Sequence, residues 1–201
     1  MFHTIGDSHA SNIHSAWKIF ENKIKSHHIG PCLAYSFGRD KLKRINLQKL
    51  GIQENDIVCF CLGEIDVRCH IHKYINTNTY KNIINNIIEM YIEAINENIK
   101  TYKNIKVCIY NIIPPKYYIE GMEYNPDFPF LGTNEDRLQY TKYFNSKLKE
   151  CCNTYNFIFI DIYNNYCDNN GFLDLHKSDN SVHIIDGNYL KHYLENILKL
   201  I

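Results

Sequence analysis

Short apolar runs, four of the five stopping at a glycine or proline, alternate with longer segments whose apolar residues recur every three or four positions. This alternation constrains the fold more than any other feature of the chain. The runs are 2–6 (FHTIG), 31–37 (PCLAYSF), 56–62 (DIVCFCL), 105–113 (IKVCIYNII) and 157–163 (FIFIDIY). Helices are expected at 9–28, about 79–101, about 134–154 and about 186–201, with a shorter one between 39 and 50. The second of these carries Ile84, Ile88, Tyr91, Ile95 and Ile99 on one face. The third opens on Thr133 or Asn134 as its N-cap, with Glu135 and Asp136 in the first turn. The run 56–62 is nearly continuous in apolar residues, as in a strand covered on both faces. Strands and helices in this order predict an α/β fold, a five-stranded parallel sheet with helices on both faces. At 201 residues, without a repeat or a low-complexity linker, the chain is expected to form a single domain over 1–201.

Composition narrows the partners. The 22 Lys and Arg balance the 22 Asp and Glu, so no basic field gathers nucleic acid or anionic lipid. No apolar run approaches the roughly 18 to 20 residues of a membrane span, and residues 1–12 lack the charged start and apolar middle of a secretory signal. A soluble, cytoplasmic protein is therefore expected. In such a compartment the eight cysteines are reduced thiols, and Cys59, Cys61 and Cys108, within strand-like runs, are small buried hydrophobes. The group Cys69-His70-Ile71-His72 lacks a second ligand pair other than Cys151-Cys152, so neither a metal nor another cofactor is expected.

In open parallel sheets ligands bind outside the carboxyl ends of the strands, which directs attention to the junctions. The first is Gly6-Asp7-Ser8-His9, where Ser8 is either a helix N-cap or a nucleophile beside helix amides that stabilise an anion. The second has Gly38, a turn glycine or a residue whose bare backbone lets an amide approach an oxyanion. At the third, Glu64, Asp66 and Arg68 follow a strand that should be buried, as solvated loop charges or as site residues. Before the last helix, Asp179 and Asn180 lie close to His183, a histidine that a carboxylate can hold in one tautomer for proton transfer.

Taken together, a Gly-Asp-Ser ending the first strand, a glycine ending the second, a Gly-x-x-Asp block ending the third and an Asp/His block before the final helix resemble the SGNH (GDSL) hydrolase family. The blocks stand in the family's order and span essentially the whole chain. The resemblance implies a three-layer, flavodoxin-like fold and hydrolysis or transfer of acyl esters. It implies Ser8 as nucleophile, His183 as general base, Asp179 as orienting carboxylate, and the Ser8 and Gly38 amides as oxyanion donors.

Two positions depart from the pattern. The family's third block has Asn where this chain has Ile65, within Gly63-Glu64-Ile65-Asp66, which resembles a variant group found among viral and bacterial glycan-related proteins. An oxyanion donor is thereby lost, and Arg68 is the candidate to replace it, unless it pairs with Glu64 or Asp66. The last block has Asp179 four residues before His183 rather than three, which leaves Asn180 as the other candidate to orient the ring. The long segment 114–133 offers Tyr117, Tyr118, Tyr124, Phe128 and Phe130, rings that either stack on sugars or pack the segment down. A short acyl group, acetate first, on a glycan or small ester is the expected substrate. An O-acyltransferase using the same serine and a non-catalytic glycan-binding protein on the same fold are the alternatives.

Overall fold

The computed structural model describes residues 1–122 and 125–201. Five parallel strands form one sheet: β1 (Phe2–Gly6), β2 (Ile24–His28), β3 (Ile57–Cys61), β4 (Lys106–Tyr110) and β5 (Ile158–Ile160), in the order β2-β1-β3-β4-β5. β1 is central enough to pair with β2 on one side and β3 on the other, with Ile5 opposite both His27 and Phe60. Side chains alternate across the sheet. On β3, Val58 and Phe60 enter one core with Ile84, Tyr91 and Ile95, while Cys59 and Cys61 enter the other with Trp17, Tyr110 and Leu190. The expected α/β fold, with its parallel sheet covered on both faces, is the one observed.

The helices on the first face are α1 (Ala34–Asp40), α2 (Tyr80–Ile99) and α3 (Asn134–Tyr155), whose buried residues belong to that core. Thr133 caps α3 by accepting the Asp136 amide at 3.0 Å, and the Asp136 carboxylate accepts the Thr133 amide at 2.9 Å. The other face is covered by a 3₁₀ segment, Ala16–Lys23, and by α5 (Asn188–His192), which continues as a π-turn over Tyr193–Ile197. The short α4 (Tyr163–Tyr166) adds Tyr166 to the same core.

Two expectations about the first forty residues are corrected. Residues 9–28 are not one helix but short 3₁₀ turns, Ser8–Ala10 and Ala16–Lys23, followed by β2. Ser11 and Ser15 turn the chain locally, their hydroxyls accepting the amides of Ile13 and Trp17, in the way that serine competes with helical bonding. Trp17, Phe20 and Ile24 still reach the core. The second strand is therefore IKSHH, not 31–37. Residues 34–40 form α1, so Gly38 lies within a helix and not at a strand end. A Cβ at Gly38 would come within 2.7 Å of Met90 Cβ and 2.9 Å of the Met90 carbonyl carbon, so its missing side chain serves the contact between α1 and α2.

Candidate active site

β1 delivers Ser8 to the carboxyl edge of the sheet. Gly6 is needed there because a Cβ would meet the Cys61 carbonyl oxygen of the neighbouring strand at 2.1 Å. The Asp7 carboxylate then accepts the His9 amide at 2.9 Å and starts the 3₁₀ turn whose first residue is Ser8. Ser8 itself is not the cap.

The loop before α5 faces it. Asp179 Oδ2 accepts the Nδ1 proton of His183 at 2.7 Å, and His183 Nε2 lies 2.8 Å from Ser8 Oγ. An ionised carboxylate only accepts, so Nδ1 carries the proton and Nε2 is the acceptor for the serine hydroxyl. Asp179 Oδ1 also accepts the amides of Ser181 at 2.8 Å and His183 at 3.2 Å. Asn180 takes a left-handed conformation, φ 62°, with its amide on Ser178 Oγ. That turn absorbs the extra residue between Asp179 and His183, so Asp179 and not Asn180 reaches the ring. Burial lowers the pKa of His183 below the ordinary 6.5, and the neighbouring His9, its ring centroid 4.9 Å away, lowers it further against the opposing pull of Asp179. Burial pushes the Asp179 carboxyl up, but the bonds from His183 and Ser181 outweigh it and leave it below its ordinary range.

The three charges after β3 are all withdrawn from solvent. Arg68 grips Glu64 with Nε at 2.6 Å and Nη2 at 3.0 Å, while Nη1 donates to the Phe128 carbonyl. Burial alone would raise the Glu64 carboxyl, yet Arg68 and His9 hold it well below the usual carboxylate range. His9 Nε2 lies 3.6 Å from Glu64 Oε2, and burial there is overcome by Asp7 and Glu64, so the His9 pKa is raised. Asp66 is fully buried and accepts the Ala34 and Tyr35 amides at 2.7 and 3.1 Å, supplying α1 with the N-terminal acceptor that its own Leu33 lacks. Burial pushes its pKa up to about 7 against those two bonds.

Ser8 and His183 open into a crevice of about 420 Å³ whose wall also includes Ile65, Arg68, Lys116, Phe128 and Phe130. Glu64 stands behind Arg68 and is a partner of the cation. Gly38 lies inside α1, against Met90 and Tyr91 of α2, and not at the strand end expected of it. The glycine at the end of the true β2 is Gly30, between His28 and Pro31 of the crevice wall, in a loop tied to β1 by the Ile29 amide on the Gly6 carbonyl at 2.8 Å. Its signal in the sequence was the Gly-Pro step after IKSHH. Lys116, directly after Pro114-Pro115, was also missed, since a lone lysine in a long aromatic-rich segment carries no pattern. Of the aromatic residues expected at the site, Phe128 and Phe130 line it, Tyr118 stacks on Phe130 at 5.0 Å, and Tyr117 packs edge-on to Phe172. Tyr124 lies outside the described residues. Among the described residues no group of three or more His, Cys, Asp or Glu is placed to hold a metal ion, and none of the helices is long and apolar enough to cross a membrane.

Neither a family model nor a curated protein matches the sequence. Solved structures do match over the full fold. A GDSL-like lipase from Bacteroides thetaiotaomicron is 17% identical, with a TM-score of 0.63, over 100% of this chain and 88% of the other. Phospholipase A1 from Streptomyces albidoflavus is 10% identical, TM-score 0.59, over 100% and 98%. A member of the lipolytic G-D-S-L family from Veillonella parvula is 13% identical, TM-score 0.57, over 99% and 98%. The chain has the SGNH/GDSL hydrolase fold.

Proposed function

We propose that the protein is a serine ester hydrolase that removes a short acyl group, acetyl first, from a glycan or another small ester. The observation that carries this reading is the continuous chain of hydrogen bonds from Ser8 Oγ through His183 to Asp179, at 2.8 and 2.7 Å, opening into a crevice. It is the geometry that nucleophilic acyl transfer requires. The fold, shared with proteins described as lipases and a phospholipase, favours the same class of chemistry.

In this reading His183 Nε2 takes the hydroxyl proton as Ser8 Oγ attacks the ester carbonyl carbon. The Ser8 amide meets the oxyanion that forms, and the Gly30 amide, which follows β2 between the crevice residues His28 and Pro31, is the second donor in this reading. His183 returns the proton to the departing alcohol, leaving an acyl group on Ser8. Water, activated by the same imidazole, then attacks the acyl carbon and releases the acid. Asp179 holds the tautomer throughout and stabilises the imidazolium. Ile65 and Phe128 give the crevice wall an apolar surface for the acyl group.

Ile65 favours a second reading, a non-catalytic glycan-binding protein, because loss of one oxyanion donor typically costs about 10²–10³ in turnover. A serine-reactive fluorophosphonate separates the two. Labelling of the wild-type protein that disappears in Ser8→Ala, together with hydrolysis of 4-nitrophenyl acetate, supports the hydrolase. Failure of the folded wild-type protein to label refutes it and leaves the binding protein.

A further inference from the structure

Lys116 is 9% exposed and sits in the wall of the crevice that holds Ser8 and His183. Its Nζ donates to the Asn180 carbonyl, and an ammonium carries three N–H donors, so two remain. Among the described residues no carboxylate lies within ion-pair distance of it. Asp179 is the carboxylate whose field it feels, and both Asp179 oxygens are committed, Oδ2 to the His183 ring and Oδ1 to two backbone amides. The other permanent cation of the wall, Arg68, is neutralised by its two-point bond to Glu64. The Asp7 carboxylate is only 1% exposed. A cation taken out of water without an ion-pair partner is costly, and the cost is relieved by an anion arriving in the same partly dry space. The balanced charge of the whole chain makes this a local property of the crevice and not a long-range field.

We propose that the crevice selects acyl esters that also carry an anionic group, a carboxylate or a phosphate, and that Lys116 is the residue that reads it. The proposal rests on the ester-hydrolase reading and adds the charge of the substrate to it. Burial lowers the Lys116 pKa, with Asp179 opposing, as it should where the ammonium lacks a bound counter-ion.

The test compares three acetyl esters of matched sugars: a neutral methyl glucoside, the corresponding methyl glucuronoside, and glucose 6-phosphate. The charged esters are expected to show kcat/KM at least about tenfold above the neutral one, mainly through KM, and the better of the two identifies carboxylate or phosphate as the group read. Lys116→Met should bring the ratio close to one, and Lys116→Arg should keep most of it. On the wild-type protein, raising salt from about 0.05 to about 0.5 M should erode the same preference, which covers the case of a Lys116→Met variant that does not fold. Equal kcat/KM on all three wild-type comparisons overturns the proposal, as does a preference that survives Lys116→Met or high salt. If no ester is turned over and the phosphonate does not label, the hydrolase reading has failed separately. Calorimetry with glucuronate and inorganic phosphate then decides the subsite. Binding by the wild-type protein that is weakened at least about tenfold by Lys116→Met or by high salt upholds it, and no binding, or binding unaffected by either, overturns it.

Discussion

Replacing Gly38 with alanine separates a helix contact from a catalytic role. The added methyl would stand 2.7 Å from Met90 Cβ, 2.9 Å from the Met90 carbonyl carbon and 3.0 Å from the Tyr91 amide nitrogen. Two of those three atoms are backbone of α2, so no rotamer change relieves the clash and the helices must part. α1 is poorly placed to retreat. Its N-terminal amides are held by the buried Asp66, and its Phe37 ring stacks on Phe60 of β3 at 5.8 Å. Overpacking of this kind costs about 1–3 kcal/mol, and the better helix propensity of alanine returns up to about 1 kcal/mol. With two backbone clashes at 3.0 Å or less and the cost taken at its middle, about 2 kcal/mol, the net loss of about 1–2 kcal/mol, at about 2–4 °C per kcal/mol for a domain of this size, lowers the melting temperature by about 2–8 °C. Thermal denaturation followed by circular dichroism measures it, and the rate of fluorophosphonate labelling at a temperature where the variant is folded should stay within about threefold of wild type. An unchanged or higher melting temperature refutes the packing argument. A melting temperature like that of wild type combined with labelling slowed about a hundredfold would put Gly38 back beside the oxyanion.

Because His183 must be neutral to accept the serine proton, and burial and His9 lower its pKa, labelling should rise with pH to a plateau with its midpoint below 6.5. A midpoint above 6.5 contradicts that environment. Arg68→Ala strands the Glu64 carboxylate and is expected to cost about 3 kcal/mol or more in urea denaturation at pH 7, most of which the double change with Glu64→Gln should restore. Equal losses in the single and double variants would count against the pair. Asp66, its pKa raised to about 7 by burial, has a folded value above the unfolded 3.8, so its contribution to stability is largest in acid and is lost as pH rises towards 7. Wild type should therefore lose about 1.4 kcal/mol per pH unit relative to Asp66→Asn between about pH 5 and 7, read as a difference because half-buried histidines such as His27, lowered to about 4, slope the other way. A difference that does not change with pH would show that Asp66 is already ionised.

How far the structure could be read from the sequence depended on whether each signal was local. β3 was plain because both of its faces are buried and its run is apolar throughout, and α2 and α3 because their stripes and the Thr133 cap lie within their own residues. β2 was missed because it is an edge strand, with Lys25, His27 and His28 replacing the usual apolar alternation. α1 was read as a strand because the acceptor for its first amides is Asp66, some thirty residues downstream. That error displaced Gly38 to a strand end it does not occupy. Ser8, His183 and Asp179 could be named from their order along the chain, whereas the choice between Asp179 and Asn180 needed the left-handed turn at Asn180. The burial of Glu64 and Arg68 followed from their pairing, one of the two alternatives the spacing left open. Nothing local announced Lys116.

Ser8 and His183 are 175 positions apart, yet they share one proton. During synthesis at about 5–20 residues per second, the serine emerges roughly ten to thirty-five seconds before the base that would activate it. The residues of α5, whose Leu190 joins the core that holds Trp17, come later still. A nascent or truncated chain thus holds an inert hydroxyl, and reactivity switches on only when the loop carrying His183 reaches Ser8. Phosphonate labelling is for that reason a measure of completed folding as much as of chemistry, and it would report a chain whose two ends have failed to meet even where its helical content is intact.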